Sequence, residues 1–189
     1  MEKTIGKYKI EVTQEEDCTI FNPRQDDNLG TMVLFPKHLG DKNDYQFNDY
    51  GSWEEMKFDI ERTENAGVVL PLYILDHSGI TISTTPFQCP WDSGQRGWIF
   101  ISKEKMRYEY SRKRVTEKLE RRVAGYLRSE VQTYAQYLEG DIWNYCITDT
   151  ETDEELDAVG GYFGSDDCMD AAEHQLKNIT DYVDKVLQD

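Results

Sequence analysis

"GVVLPLYILDHSGITIST", Gly67–Thr84, is the stretch on which the fold turns. Gly67–Leu75 is almost continuously apolar, the pattern of a central strand covered on both faces. Pro71 interrupts it only chemically: without an N–H it predicts a bulge or one unpaired position. His77-Ser78-Gly79 are turn residues, and "ITIST", Ile80–Thr84, alternates as a second strand, so the pair predicts a β-hairpin. "TPFQCPWDSGQ" then reads as a long turn with Asp92-Ser93-Gly94 as a tight bend, and "GWIFIS", Gly97–Ser102, as another strand.

Working outward from this hairpin, Thr4–Thr13 alternates at Tyr8, Ile10 and Val12 and predicts a half-buried strand. "QEEDCTIFNPRQDDNLG" reads as a loop, Thr31–Phe35 as a strand stopped by Pro36, and residues 36–51 as a second loop. Ser52 can cap a helix over Trp53–Asn65, with Trp53, Met56 and Ile60 on one face. Beyond Ser102 come a short helix, Lys103–Tyr110, and a long one over residues 115–139. Gly140 stands where a left-handed residue ends such a helix. Asp141–Thr148 and Leu156–Phe163 predict strands. Ser165 is the expected cap of a final helix whose apolar face is Met169, Ala172, Leu176, Ile179, Val183 and Leu187. The sum is a single α+β domain, 1–189: a mostly antiparallel sheet of about six or seven strands backed by two long helices.

With 38% hydrophobic residues, four Trp and twelve Tyr, the chain has enough apolar surface for a packed core. No run approaches the ~20 apolar residues of a membrane span. "MEKTIGKYKI" lacks the apolar segment of a secretory leader, so a cytoplasmic location is expected. Cys18, Cys89, Cys146 and Cys168 form no C-x-x-C pair, and His38, His77 and His174 are scattered, so no metal site or cofactor is expected. Phosphate-binding loop, dinucleotide and metalloprotease motifs are absent.

Charge is the strongest global signal: the net is −16 and the pI about 4.5. It is uneven, because residues 103–128 hold ten Lys/Arg against four Asp/Glu. An acidic field repels nucleic acid and attracts basic surfaces such as nucleic-acid-binding clefts. The candidate contacts for such a partner are Asp149, Glu151, Asp153, Glu154, Glu155, Asp157, Asp166 and Asp167. The basic stretch offers the opposite reading. Lys103, Lys105, Arg107, Arg112, Lys113, Arg114, Lys118, Arg121 and Arg122 interleave with Tyr108 and Tyr110, as on a nucleic-acid-binding face, or else form a solvated helix surface.

The third candidate is the hairpin mouth. Asp76, His77, Cys89, Asp92 and Ser93 are residue types of nucleophilic catalysis. Consecutive residues at a hairpin tip diverge, so Asp76-His77-Ser78 is no triad by itself, and Ser93 lacks the G-x-S-x-G elbow. Turn chemistry accounts for the same residues, with Gly79 supplying positive φ and Cys89 a small packed thiol. An enzyme would require His77 and Cys89 to converge with Asp92 in an open cleft.

Several motifs occur in order: "DNLGTM" (Asp27–Met32), "VLPLY" (Val69–Tyr73), "DHSGITISTTPF" (Asp76–Phe87), C-x-WDSGQ-x-G (Cys89–Gly97), "KRV" (Lys113–Val115), "SEVQTYAQYLEGD" (Ser129–Asp141) and "GYFG" (Gly161–Gly164). Together they resemble a widespread family of small bacteriophage and mobile-element proteins, over roughly Tyr8 to Ala172. The resemblance implies an origin and transfers no residue roles. Acidic accessory proteins of such elements block restriction enzymes or CRISPR nucleases, some by imitating the charge of DNA. It therefore implies an anti-CRISPR-like inhibitor in the cytoplasm of a host bacterial cell. Its partner would be a host defence nuclease, Cas9-type foremost, or that nuclease's guide-RNA complex, with direct nucleic-acid contact through residues 103–122 as the alternative. The amphipathic helices also leave pairing between two copies open.

Overall fold

The apolar run at Gly67–Leu75 lies inside a sheet, as its composition requires, and the sheet accounts for Pro71. The computed structural model describes residues 1–42 and 44–186, with side chains through 181. In chain order the elements are β1 (Glu2–Ile5), β2 (Tyr8–Gln14), β3 (Thr31–Leu34), α1 (Trp53–Thr63), β4 (Ala66–Asp76), β5 (Ile80–Ser83), β6 (Ser93–Ser102), α2 (Lys103–Glu109), α3 (Glu117–Glu139), β7 (Ile142–Asp149), β8 (Glu154–Phe163) and α4 (Ser165–Val186). The class is α+β, the pairing is antiparallel, and α3 and α4 are the two long helices. The strands do not share one sheet. Among the described residues they form two sheets of four, ordered β1-β2-β7-β8 and β3-β6-β4-β5. The sheets belong to two compact units, Met1–Asn22 with Gly140–Asp189, and Pro23–Glu139. The expectation of one domain around one sheet is refined accordingly.

In the Pro23–Glu139 unit, β6 is the strand buried on both faces. Trp98 and Phe100 pack with Met56 and Ile60 of α1, while Ile99 and Ile101 pack with Val123, Leu127 and Val131 of α3. Strand alternation produces this two-faced burial: neighbouring side chains point to opposite layers. Met56 and Ile60 are fully buried, each worth about 1.5–3 kcal/mol of apolar transfer. Pro71 pairs opposite Trp98, and β5 pairs only with Tyr73–Asp76. Among the described residues no strand therefore lies on the other side of Pro71 to miss its N–H, and a register shift follows at Leu72/Tyr73.

Helix ends follow the sequence closely. The Ser52 hydroxyl accepts the Glu55 N–H (3.1 Å), and the Ser102 hydroxyl accepts that of Lys105 (3.1 Å). Gly140, at φ +68°, ends α3 in the left-handed conformation. Ser165 is not the cap expected of it: α4 begins at that residue, and the Gly164 carbonyl accepts the Cys168 N–H (3.2 Å).

The other unit pairs the N-terminal hairpin with a C-terminal one, since β2 runs antiparallel to β7. α4 covers one face of that sheet, where Cys168, Ala172 and Leu176 pack on Ile10, Val12, Tyr145 and Ile147. Met169 and Ile179 flank that cluster. Of the expected apolar face, Leu187 and the side chain of Val183 lie outside the described residues.

Candidate functional site

Register brings the hairpin mouth together. Asp76 ends β4, and its N–H donates to the Asp92 carbonyl (2.9 Å). Asp92 thus stands beside the β4–β5 turn, and His77 reaches it through space rather than along the chain. The imidazole Nδ1 donates to Asp92 Oδ2 (2.9 Å), and the Cys89 thiol donates to the same oxygen (3.4 Å). Of the five candidates, His77, Cys89 and Asp92 therefore share one carboxylate oxygen. Ser93 does not join them, because its hydroxyl is spent on the Cys89 carbonyl.

A cleft of about 320 Å3 adjoins this group, lined by Asp76, Asp92 and Arg96 over an apolar floor of Phe35, Ile74 and Ile80. Arg96 is a lining residue that the sequence did not mark, because its placement depends on the strand pairing. The His77 side chain is 71% exposed. A carboxylate holding Nδ1 leaves Nε2 outward as a base. The thiol, however, is bonded to Asp92 and not to the imidazole, so the proton relay of a cysteine nucleophile is not assembled.

Two expectations about the turns change. Ser78, not Gly79, takes the left-handed conformation (φ +59°). Asp92-Ser93-Gly94 is not a bend, because Ser93 and Gly94 already pair with Leu75 and Ile74 as the start of β6.

The acidic candidates separate into two groups. Asp149 is buried: it takes the Lys7 ammonium (2.7 Å) and the Glu151 N–H (2.9 Å), which makes it the organiser of the β7–β8 turn. Asp157 is half-buried and accepts the Tyr145 hydroxyl (2.8 Å). Asp149 is thus committed within the fold, which corrects its place among the contacts, while Asp157 stays partly exposed with its carboxylate engaged by Tyr145. Glu151, Asp153, Glu154, Glu155, Asp166 and Asp167 are exposed, with Glu155 taking the Cys146 thiol (3.4 Å). The unit that carries them holds nineteen Asp/Glu against five Lys/Arg, a net of −14; Pro23–Glu139 holds eighteen against sixteen, a net of −2.

The bond from Lys7 holds the Asp149 carboxyl below the usual carboxylate range, and Glu11 is lowered in the same way by Lys9. A carboxyl lowered in the folded state stabilises fully above its unfolded value of about 4, and that contribution fades as pH falls through the folded value. The β1-β2-β7-β8 unit should therefore lose stability progressively below about pH 4. Lys7→Met should flatten the part of that loss that Asp149 carries, as read by urea melts between about pH 2 and pH 5.

The basic candidates also divide. Lys105 Nζ donates to the Asn28 carbonyl (2.5 Å) and supports the fold, while Lys103 and Arg107 are half-buried. Lys113 and Arg121 are exposed. Arg112, Arg114, Lys118 and Arg122 converge on one cleft of about 430 Å3 together with Tyr110, Thr116 and Leu119.

No group of His, Cys, Asp and Glu among the described residues is placed to hold a metal ion. No helix among them is long and apolar enough to cross a membrane. No family model, curated protein or solved structure matches the chain.

Proposed function

We propose that the protein is a non-enzymatic, anti-CRISPR-like inhibitor whose acidic unit docks on the basic nucleic-acid-binding cleft of a host defence nuclease. The sorting of charge by fold unit carries this reading: nearly the whole excess, −14 of −16, sits on Met1–Asn22 with Gly140–Asp189. Its exposed carboxylates include the run Glu151, Asp153, Glu154 and Glu155 at the β7–β8 turn. Such a field speeds encounter with a cationic cleft and competes there with phosphates. The resemblance to mobile-element proteins supports a defence nuclease as the owner of that cleft.

The test is capture of a Cas9-type nuclease and of a restriction nuclease across a salt series, with the nuclease's own nucleic acid as competitor. Affinity should fall steeply with salt. Neutralising Glu151, Asp153, Glu154 and Glu155 to Gln or Asn should weaken it by about tenfold or more. Binding indifferent to salt, or to that variant, would sink the proposal, as would failure to bind any nuclease.

A second reading, an enzyme at the hairpin mouth, has one observation in its favour: Asp92 Oδ2 receives both His77 and Cys89. It requires His77→Ala and Cys89→Ala each to abolish protection of an infecting phage while leaving the melting temperature unchanged. Under the inhibitor reading both variants protect like the parent.

A further inference from the structure

We propose that the cleft between the end of α2 and the start of α3 binds the phosphate backbone of single-stranded nucleic acid. Arg112, Arg114, Lys118 and Arg122 line it, and none of the four has an ion-pair partner among the described residues. That is unexpected in a chain with 37 Asp/Glu, where a counter-ion is easily found. Like charges drawn into one concavity repel each other, and an anion bound there removes the repulsion.

The cleft is also partly pre-formed. The Arg122 guanidinium sits 5.3 Å from the Tyr110 ring centre and 5.6 Å from that of Tyr126, and donates to the Tyr126 hydroxyl (3.2 Å). Thr116 caps α3, its carbonyl taking the Glu120 N–H (2.9 Å), and the first turn of that helix, which carries Glu117 and Glu120, begins beside the four cations.

The lining favours phosphate over bases. Four cationic side chains line the cleft and no carboxylate does, so the phosphate oxygens present at every nucleotide are the groups it suits. The neighbouring aromatic surface favours a single strand. Tyr108 on α2 is 81% exposed, and an exposed ring of this kind stacks on unpaired bases, which a duplex does not present, while Tyr126, 46% exposed, is held against Arg122. The basic face foreshadowed by the sequence is thus narrower than the nine cations of residues 103–122. It consists of four, with Tyr110 and Tyr126 beside them.

The proposal is independent of the acidic unit. If both hold, the protein carries one surface for a basic protein and one for nucleic acid. Fluorescence anisotropy of the full chain with a labelled oligothymidylate of about 20 nucleotides tests it. Four phosphate contacts to a single strand predict a slope of log K against log salt near −3. Arg112→Ala/Arg114→Ala, at exposed loop positions, should bring the slope to about half and weaken binding at least tenfold at low salt. Glu151→Gln/Glu154→Gln should leave it unchanged. Circular dichroism would verify that each variant is folded. Absence of binding at low salt, insensitivity to the Arg112/Arg114 variant, or equal affinity for a duplex or for a nucleoside triphosphate would each overturn the proposal.

Discussion

Gly97→Ala is expected to remove much of the stability of the Pro23–Glu139 unit. Gly97 pairs with Leu34 where β3 and β6 approach each other, and a β-carbon there would stand 1.9 Å from the Val33 carbonyl oxygen. An ordinary carbon–oxygen contact needs about 3.3 Å, so the two strands must part by more than an ångström. β3 cannot move alone. Met32, Val33 and Leu34 are at most 1% exposed, with Val33 packed toward α1 and the other two toward α3. Overpacking of this kind costs about 3 kcal/mol or more, a fall of roughly 10 °C in melting temperature for a unit of this size. Gly79→Ala and Gly94→Ala are the controls. Neither residue has positive φ or an atom within 4 Å of the added methyl, so each should stay within about 0.5 kcal/mol of the parent. Equal melting of Gly97→Ala and the parent would refute the β3–β6 register.

The contrast between these glycines shows what local sequence can carry. Gly79 and Gly94 look indispensable because they sit among Asp and Ser, whereas Gly97 looks like the first residue of "GWIFIS". What makes Gly97 demanding is a strand more than sixty residues earlier in the chain, which no local pattern reveals. The same limit explains the two-sheet architecture. β2 finds its partner in β7, so the division into units depends on a pairing between the two ends of the chain. One local signal was present. Ile5 and Tyr8 are out of phase for a single strand spanning Thr4–Thr13, and they prove to be partners across a tight hairpin at Gly6. The β4–β5 hairpin, the Ser52 cap and the apolar face of α1 were legible because each depends on residues within a few positions of one another, whereas the cap expected at Ser165 proved to be the first residue of α4.

The candidate sites divide along the same line. Composition marks every carboxylate of residues 149–157 as equally acidic, yet Asp149 is committed to Lys7 and Asp157 to Tyr145. Only the fold separates carboxylates that build a turn from those left facing solvent. At the hairpin mouth, the residue types suggested chemistry and their adjacency argued against it. The β4–β6 register then placed Asp92 between His77 and Cys89, joining residues from two different turns.

Arg24 is the residue the sequence hid most completely, lying in what reads as a featureless loop, and Arg24→Ala should be the most damaging single change in its unit. Its side chain is 6% exposed. The guanidinium makes a two-pronged contact with Asp41, one arm from Nε at 3.1 Å, and also donates to Asn28 Oδ1 (2.8 Å) and the Gly30 carbonyl (2.8 Å). It lies 3.4 Å from Glu130 of α3. The two carboxylates in turn hold backbone: Glu130 takes the Leu29 and Gly30 N–H groups (2.6 and 3.0 Å), and Asp41 takes that of Met32 (2.7 Å). One cation thus ties the loop before β3 to both α3 and the loop after it. Removing it leaves two carboxylates, 25% and 18% exposed, without the cation they share, a loss of about 3–5 kcal/mol. Arg24→Lys should recover little, because an ammonium is a point charge and cannot span the same fork of acceptors. Arg24→Met/Glu130→Gln removes charge from both sides and should be less unstable than the sum of its single variants by at least about 1 kcal/mol. Urea denaturation of the four proteins gives that coupling directly. Additive losses would mean that Arg24 acts through Asp41 and the backbone alone, and that α3 is anchored to the loop by the Glu130 hydrogen bonds without help from the charge.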